Sequence, residues 1–177
     1  MVESEAAGVD RDERLASLAA SRPDAFGELY DRYVDRIYRY CARRLPTVEA
    51  AEDATSQCFM EALRSIGRYW ADRATFRTWL FAIAHHVVVD ALRAHRPTSP
   101  LDADQPAGAS DHRRSEVDEL LARLPEEQRQ VIELRLVGLT HREIAAVLGK
   151  RDGAVRVAHH RAMERLRALV REEAETT

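Results

Sequence analysis

The chain has few of the residues that break helices. Its 177 residues include seven glycines and six prolines, and three of the prolines crowd into the stretch Arg96 to Arg113. The long segments on either side run almost unpunctuated, which favours helices over strands. The two cysteines, Cys41 and Cys58, stand 17 apart at apolar helix positions, too few for a disulfide framework. Together with His85 and His86 they show no metal-ligand spacing, so no metal site is assigned. The glycines are isolated, which excludes a phosphate-cradling loop. Carboxylates are plentiful but fall on solvent faces among arginines. No catalytic residue and no cofactor follow from this pattern, and the chain is not expected to be an enzyme. No apolar run is long enough to span a membrane; Phe81 to Val89 is the nearest and is broken by His85 and His86. The acidic start MVESEAAGVDRDER lacks the apolar core of a secretory leader. These absences predict a cytoplasmic protein without membrane insertion.

Strong charge of one sign is also missing, since the net value is −3. The balance changes along the chain. Residues 1–23 sum to −2 and 24–96 to +1, but Arg135 to Arg171 holds nine basic and three acidic groups, or +6. Positive charge concentrated on one segment is what phosphate contact requires.

Apolar spacing predicts helices throughout. The first long one begins at an Asp24 cap and places Phe26, Leu29, Tyr30, Tyr33, Ile37 and Cys41 on one face. Pro46 ends it, and Thr47 caps a second helix with Ala51, Thr55, Phe59, Ala62 and Ile66 inward. A third runs from about Thr75 to Arg93 with two apolar stripes, as for a helix packed between others. The expected fold class is all-α: two small helical domains joined by a flexible linker, the C-terminal one a helix-turn-helix. The boundaries are a 1–23 extension with no assigned role, in which helix and disorder both fit, a 24–96 domain, a 97–113 linker and a 114–172 domain.

The segment Leu134 to Leu169 carries the clearest signal. Thr140 and Glu143 have the spacing of a capping box, and Gly149 falls where the chain must leave the helix. A second helix from about Gly153 sets Val155, Ala158, Ala162, Leu166 and Leu169 on one face and Arg156 and His160 on the other. Lys150, Arg151 and Arg161 lie close by. Such a pair of helices fits the major groove of DNA. His159 falls on the apolar side and reads as a packed histidine.

Four segments in order resemble the extracytoplasmic-function sigma factors, the smallest class of sigma-70-type bacterial transcription initiation subunits. AFGELYDRYVDRIYRYCARRL is similar to the family's first conserved helix, and VEAAEDATSQCFMEALRSI to its clamp-binding helix. TFRTWLFAIAHHVVVDALRAHR resembles the helix that handles the minus-ten melting region. LPEEQRQVIELRLVGLTHREIAAVLG with GAVR and HRAMERLR resembles the C-terminal domain. Val157–Ala158 departs from the family's usual Ser-Arg.

The resemblance implies a protein that directs core RNA polymerase to promoter DNA. It implies contact with the β′ clamp helices through Asp53, Gln57 and Met60, on one stripe with Arg64, and with the β flap through the second domain. It implies base capture in the minus-ten element by the loop that holds Tyr69, Trp70 and Arg73. On the third helix Thr78, His85, His86 and Arg93, joined by Arg77, share a polar side suited to lining the melted strand. One of Tyr69 and Trp70 is expected to close the core instead. Lys150, Arg151, Arg156, His160 and Arg161 would meet the minus-thirty-five element. An anti-sigma partner is a further expectation. The alternatives are a response-regulator-type activator, which needs an upstream α/β domain where this chain shows no strands, and a decoy subunit that binds polymerase without reading promoters.

Overall fold

The computed structural model describes residues 2–94 and 116–176, and its regular elements there are all helical. The helices are α1 Val2–Ala19, α2 Pro23–Arg44, α3 Val48–Ser65, α4 Phe76–Ala94, α5 Glu116–Ala122, α6 Glu126–Leu136, α7 His141–Leu148 and α8 Asp152–Thr176. A 3-10 turn, Ile66–Arg68, follows α3. The chain divides into two compact units, 1–109 and 110–177.

In the first unit, α4 packs against α1, α2 and α3. Leu80, Phe81, Ala84 and Val88 of α4 are fully buried and meet Leu29, Ile37, Tyr40 and Cys41 of α2 and Cys58 and Ala62 of α3 in the core. Edge-on rings join the helices, Tyr33 to Phe76 at 5.5 Å and Tyr40 to Phe81 at 6.0 Å, a geometry that aromatic quadrupoles favour. Thr47 caps α3 by accepting from the Ala50 amide at 3.1 Å. At α2 the helix begins one residue earlier than Asp24: Pro23 occupies the first turn, Arg22 is the N-cap, and no side chain caps it. Proline supplies the start because its missing N–H is not needed there.

The N-terminal segment is a helix that packs on α2. Ala16 and Ala19 are buried, and small side chains at that spacing let two helices approach closely. Asp12 is also buried; it pairs with Arg32 and accepts from the Tyr33 hydroxyl at 2.5 Å. A carboxylate is tolerated out of water only with such partners.

The second unit closes around Leu121, Leu124, Ile132 and Ala162. Pro125 is the N-cap of α6, and its carbonyl accepts from Arg129. The capping box is formed in full: Thr140 Oγ1 accepts from the Glu143 amide, and Glu143 accepts from the Thr140 amide at 2.8 Å. Gly149 ends α7 at φ +63° and Gly138 follows α6 at φ +93°, both left-handed positions that disfavour side chains. Ser115, which stands three residues before Asp118 with the spacing of a capping box ahead of α5, lies outside the described residues. Arg123 ties α5 to the far end of α8 through Glu172 and Glu173.

Candidate nucleic-acid interface

On the second unit, α7 and the glycine turn present α8 with a buried and an open face. Val155, Ala158 and Ala162 are buried, while Arg151, Arg156, His160 and Arg161 are exposed and Lys150 is partly so. Ala158 is therefore inside; of the departing pair only Val157, 49% exposed, reaches the outer face. It lies beside a groove of about 340 Å³ lined by Glu127, Gly153, Ala154 and Arg161, among others.

Two of the four candidate arginine and lysine cations already hold a carboxylate, and the candidate histidine stands beside one. Lys150 pairs with Glu127, Arg156 Nε with Asp152 at 2.8 Å, and His160 Nε2 lies 3.4 Å from Glu164. Arg151 and Arg161 have no carboxylate in pairing distance among the described residues. The paired groups would have to exchange partners to meet phosphate, which weakens their non-specific contribution. Partners on the neighbouring turns or on α6 were not foreseen, although the i,i+4 spacing of Asp152 and Arg156 was present to be read.

His159 is half-buried, with its ring edge-on to His141 at 4.8 Å. Loss of water holds it below its ordinary 6.5, and the neighbouring His141, Arg135 and His160 push the same way. Its ring thus packs between α7 and α8.

In the first unit, Tyr69 and Trp70 separate. Tyr69 donates to the Ala74 carbonyl at 3.0 Å and packs against Phe76 and Trp79, with ring centres 5.9 and 5.4 Å away. Burial, then the nearby Glu13 and Asp12 carboxylates, push its phenol upward. Trp70 is 63% exposed with the Arg73 guanidinium over one face at 5.7 Å. Tyr69 thus closes the core, and the outward-facing pair is Trp70 with Arg73.

Three residues of the expected strand-lining set sit differently. Thr78 is buried, its hydroxyl 2.9 Å from that of Thr75. Arg77 is only 9% exposed, so it lies within the packed unit rather than along its surface. His85 is half-buried, with Nδ1 3.0 Å from the Tyr40 hydroxyl. That bond ties it to the core and leaves His86 as the exposed histidine of the pair.

Along α3, Asp53, Met60 and Arg64 are exposed and Gln57 is half-buried, donating to Glu61 at 2.8 Å. Met60 and Leu63, 45% and 52% exposed, add apolar area to this surface. Asp53 and Gln57 also line a groove of about 660 Å³ between α3 and α4, with Glu49, Glu61, Asp90 and small side chains.

Among the described residues, no group of three or more His, Cys, Asp or Glu is placed to hold a metal ion. No described helix is long and apolar enough to cross a membrane.

Comparison with known proteins matches both units. Residues 29–98 match the family described as Sigma-70 region 2, and residues 114–166 match Sigma-70, region 4. The chain is 34% identical over 168 residues to the ECF RNA polymerase sigma factor BldN of Streptomyces coelicolor, covering 88% of this chain and 64% of BldN. It is 33% identical over 170 residues to the ECF RNA polymerase sigma factor SigD of Mycobacterium tuberculosis, covering 86% of this chain and 80% of SigD. Among solved structures, that of CnrH in complex with the cytosolic domain of CnrY aligns with a TM-score of 0.75 and 28% identity, over 92% of this chain and 98% of CnrH. The chain belongs to the extracytoplasmic-function sigma factors of the sigma-70 family.

Proposed function

We propose that this chain joins core RNA polymerase and directs it to promoters by gripping DNA at two points. The observation that carries the reading is the pair of outward nucleic-acid faces in one chain, the Trp70–Arg73 loop on the first unit and the cationic side of α8 on the second. In this reading Lys150, Arg151, Arg156, His160 and Arg161 meet the minus-thirty-five element, sharing base and phosphate contacts among them. Trp70 stacks on a base released from the minus-ten element, with Arg73 supporting the ring from behind. Tyr69 holds the loop in place, and His86 and Arg73 supply polar and cationic groups near the melted strand.

Asp53, Gln57, Met60 and Leu63 form the surface offered to the β′ clamp helices. The second unit docks on the β flap. The functional boundaries follow as 24–96 for the polymerase and minus-ten part and 114–172 for the minus-thirty-five part. A linker, 97–113, joins them, and the helix within 1–23 acts as part of the first unit. The chain performs no chemistry of its own; polymerase makes the bonds, and the place of action is the cytoplasm. A protein inhibitor of the anti-sigma kind is a further proposed partner; CnrH, to which this chain is similar, was solved with a protein partner, the cytosolic domain of CnrY.

Run-off transcription with core polymerase and a promoter library tests this reading. The expected result is initiation at a defined set of promoters, lost on Arg156→Ala with His160→Ala while binding to core persists. Transcription no better than that of core polymerase alone overturns it. A chain that binds core but supports no promoter-directed initiation is the decoy.

A further inference from the structure

We infer that Asp152 is a positioning residue that makes Arg156 a guanine reader. The inference rests on α8 being the minus-thirty-five helix. Arg156 lies one turn into α8, two-thirds exposed, and its Nε donates to Asp152 Oδ2 at 2.8 Å. A guanidinium offers two bidentate edges, one through Nε and one through its two terminal nitrogens. Asp152 occupies the first edge. The terminal pair stays available, and its spacing matches O6 and N7 of guanine in the major groove.

Asp152 is itself held. It opens α8, directly after Arg151, whose carbonyl accepts from the Ala154 and Val155 amides. A carboxylate is favoured at that end of a helix by the exposed amides and the helix dipole. Its second oxygen, Oδ1, is buried without a hydrogen-bond partner, so the side chain lies against the protein rather than swinging in solvent. An exposed i,i+4 pair adds little to stability. Its larger consequence is to restrict the rotamers of a long side chain before DNA arrives.

The same carboxylate carries a negative charge toward a surface that must approach phosphates. It therefore weakens backbone contact in general while sharpening one base contact, and specificity is the difference between the two. Arg151 and Arg161, with no carboxylate in pairing distance among the described residues, are suited to phosphate instead. Lys150 and His160 have partners of their own but lack the forked donor geometry.

The test uses full-length chain assembled with core polymerase and a library of minus-thirty-five sequences. Arg156→Ala should erase preference for guanine at one position. Asp152→Ala should flatten preference at that same position by about fivefold or more, with non-promoter DNA bound equally or more tightly. Asp152→Asn, which keeps the shape and one acceptor, should fall between wild type and Asp152→Ala, and Asp152→Glu should retain the preference. Replacing that guanine by 7-deazaguanine removes N7 and should cost the wild-type chain more than Asp152→Ala. If Arg156→Ala erases the preference but Asp152→Ala leaves it intact, the positioning role is overturned and the reading of α8 stands. A uniform loss at every position, with the guanine preference unchanged, likewise assigns Asp152 a structural role only. If neither Arg156→Ala nor Asp152→Ala changes preference anywhere, the reading of α8 itself is wrong.

Discussion

Trp70→Ala isolates strand capture from folding because the indole contributes so little to the core. The ring is 63% exposed, and its one paired side chain is Arg73 over a single face. Stacking a base on an aromatic ring is worth about 1–3 kcal/mol. Because Arg73 already covers one face, a captured base gains only the other, which places the loss toward the lower end. At about 1.4 kcal/mol per tenfold, open-complex formation should fall roughly tenfold. Trp70→Phe keeps a stacking surface and should retain most activity. Permanganate reactivity of thymines in the minus-ten region, measured with reconstituted holoenzyme, reads the effect directly. A template already mismatched over that region should recover part of the loss, since strand separation is no longer required. Tyr69→Ala is the contrast: it removes the Ala74 hydrogen bond and the contacts with Phe76 and Trp79, so the first unit itself should lose stability. Wild-type opening by Trp70→Ala, or equal loss of core binding by that variant, would refute the assignment.

Asp12→Ala should destabilise the first unit by about 2–3 kcal/mol, because it strips a buried carboxylate from Tyr33 and from an Arg32 that keeps some solvent access. Hydrogen exchange in the full chain checks it: α1 and α2 amides should lose protection while α6 to α8 do not. Thr140→Ala should cost the second unit about 1 kcal/mol, seen as earlier denaturation of α7 and α8. The folded-state value of His159 lies below 6.5. The unfolded chain therefore takes up its proton first as pH falls, and stability present above 6.5 is lost below it. Melting at pH 5.5 and 7.5 should show that loss, and His159→Leu should reduce it. Val157 presents an apolar group on the reading face and is suited to a thymine methyl. Replacing that thymine by uracil should lower wild-type binding about fourfold, from ~0.8 kcal/mol per buried methyl-sized group, and leave Val157→Ser unaffected.

The fold was legible in the sequence wherever a local rule decided it. The Thr140–Glu143 box, the Gly149 exit and the Thr47 cap each depend on residues within four positions, and each forms as expected. The buried face of α8 follows the helical period, which also separated His159 from His160. Most of what escaped depended on helices distant in sequence. Arg77 falls on a polar edge of α4 yet is buried in the packed unit, and no pattern inside α4 records that burial. His85 looks like a surface histidine until Tyr40, 45 residues earlier, supplies its bond. The division between Tyr69 and Trp70 escaped for another reason, since it is set inside one short loop. Two adjacent aromatics cannot be ranked until the loop has closed and Ala74 has come within reach of one hydroxyl.

The paired cations give the near-neutral composition a physical meaning. Counted by sequence, Arg135 to Arg171 carries +6, which suggests a strong grip on any DNA. In the folded unit, Asp152 and Glu127 pair with Arg156 and Lys150, and Glu164 stands beside His160, so three of the five candidate DNA-binding residues already have a carboxylate neighbour. Non-specific attraction scales with the phosphates a protein neutralises, so cations shared with internal carboxylates contribute less to it. Base contact is affected less, because it depends on where donors point more than on net charge. Promoter binding by the isolated chain should therefore be weak, with only a shallow dependence on salt. It should strengthen once core polymerase supplies the remaining contacts. Tight promoter binding without polymerase, falling steeply with salt, would contradict this account of the charge pairing.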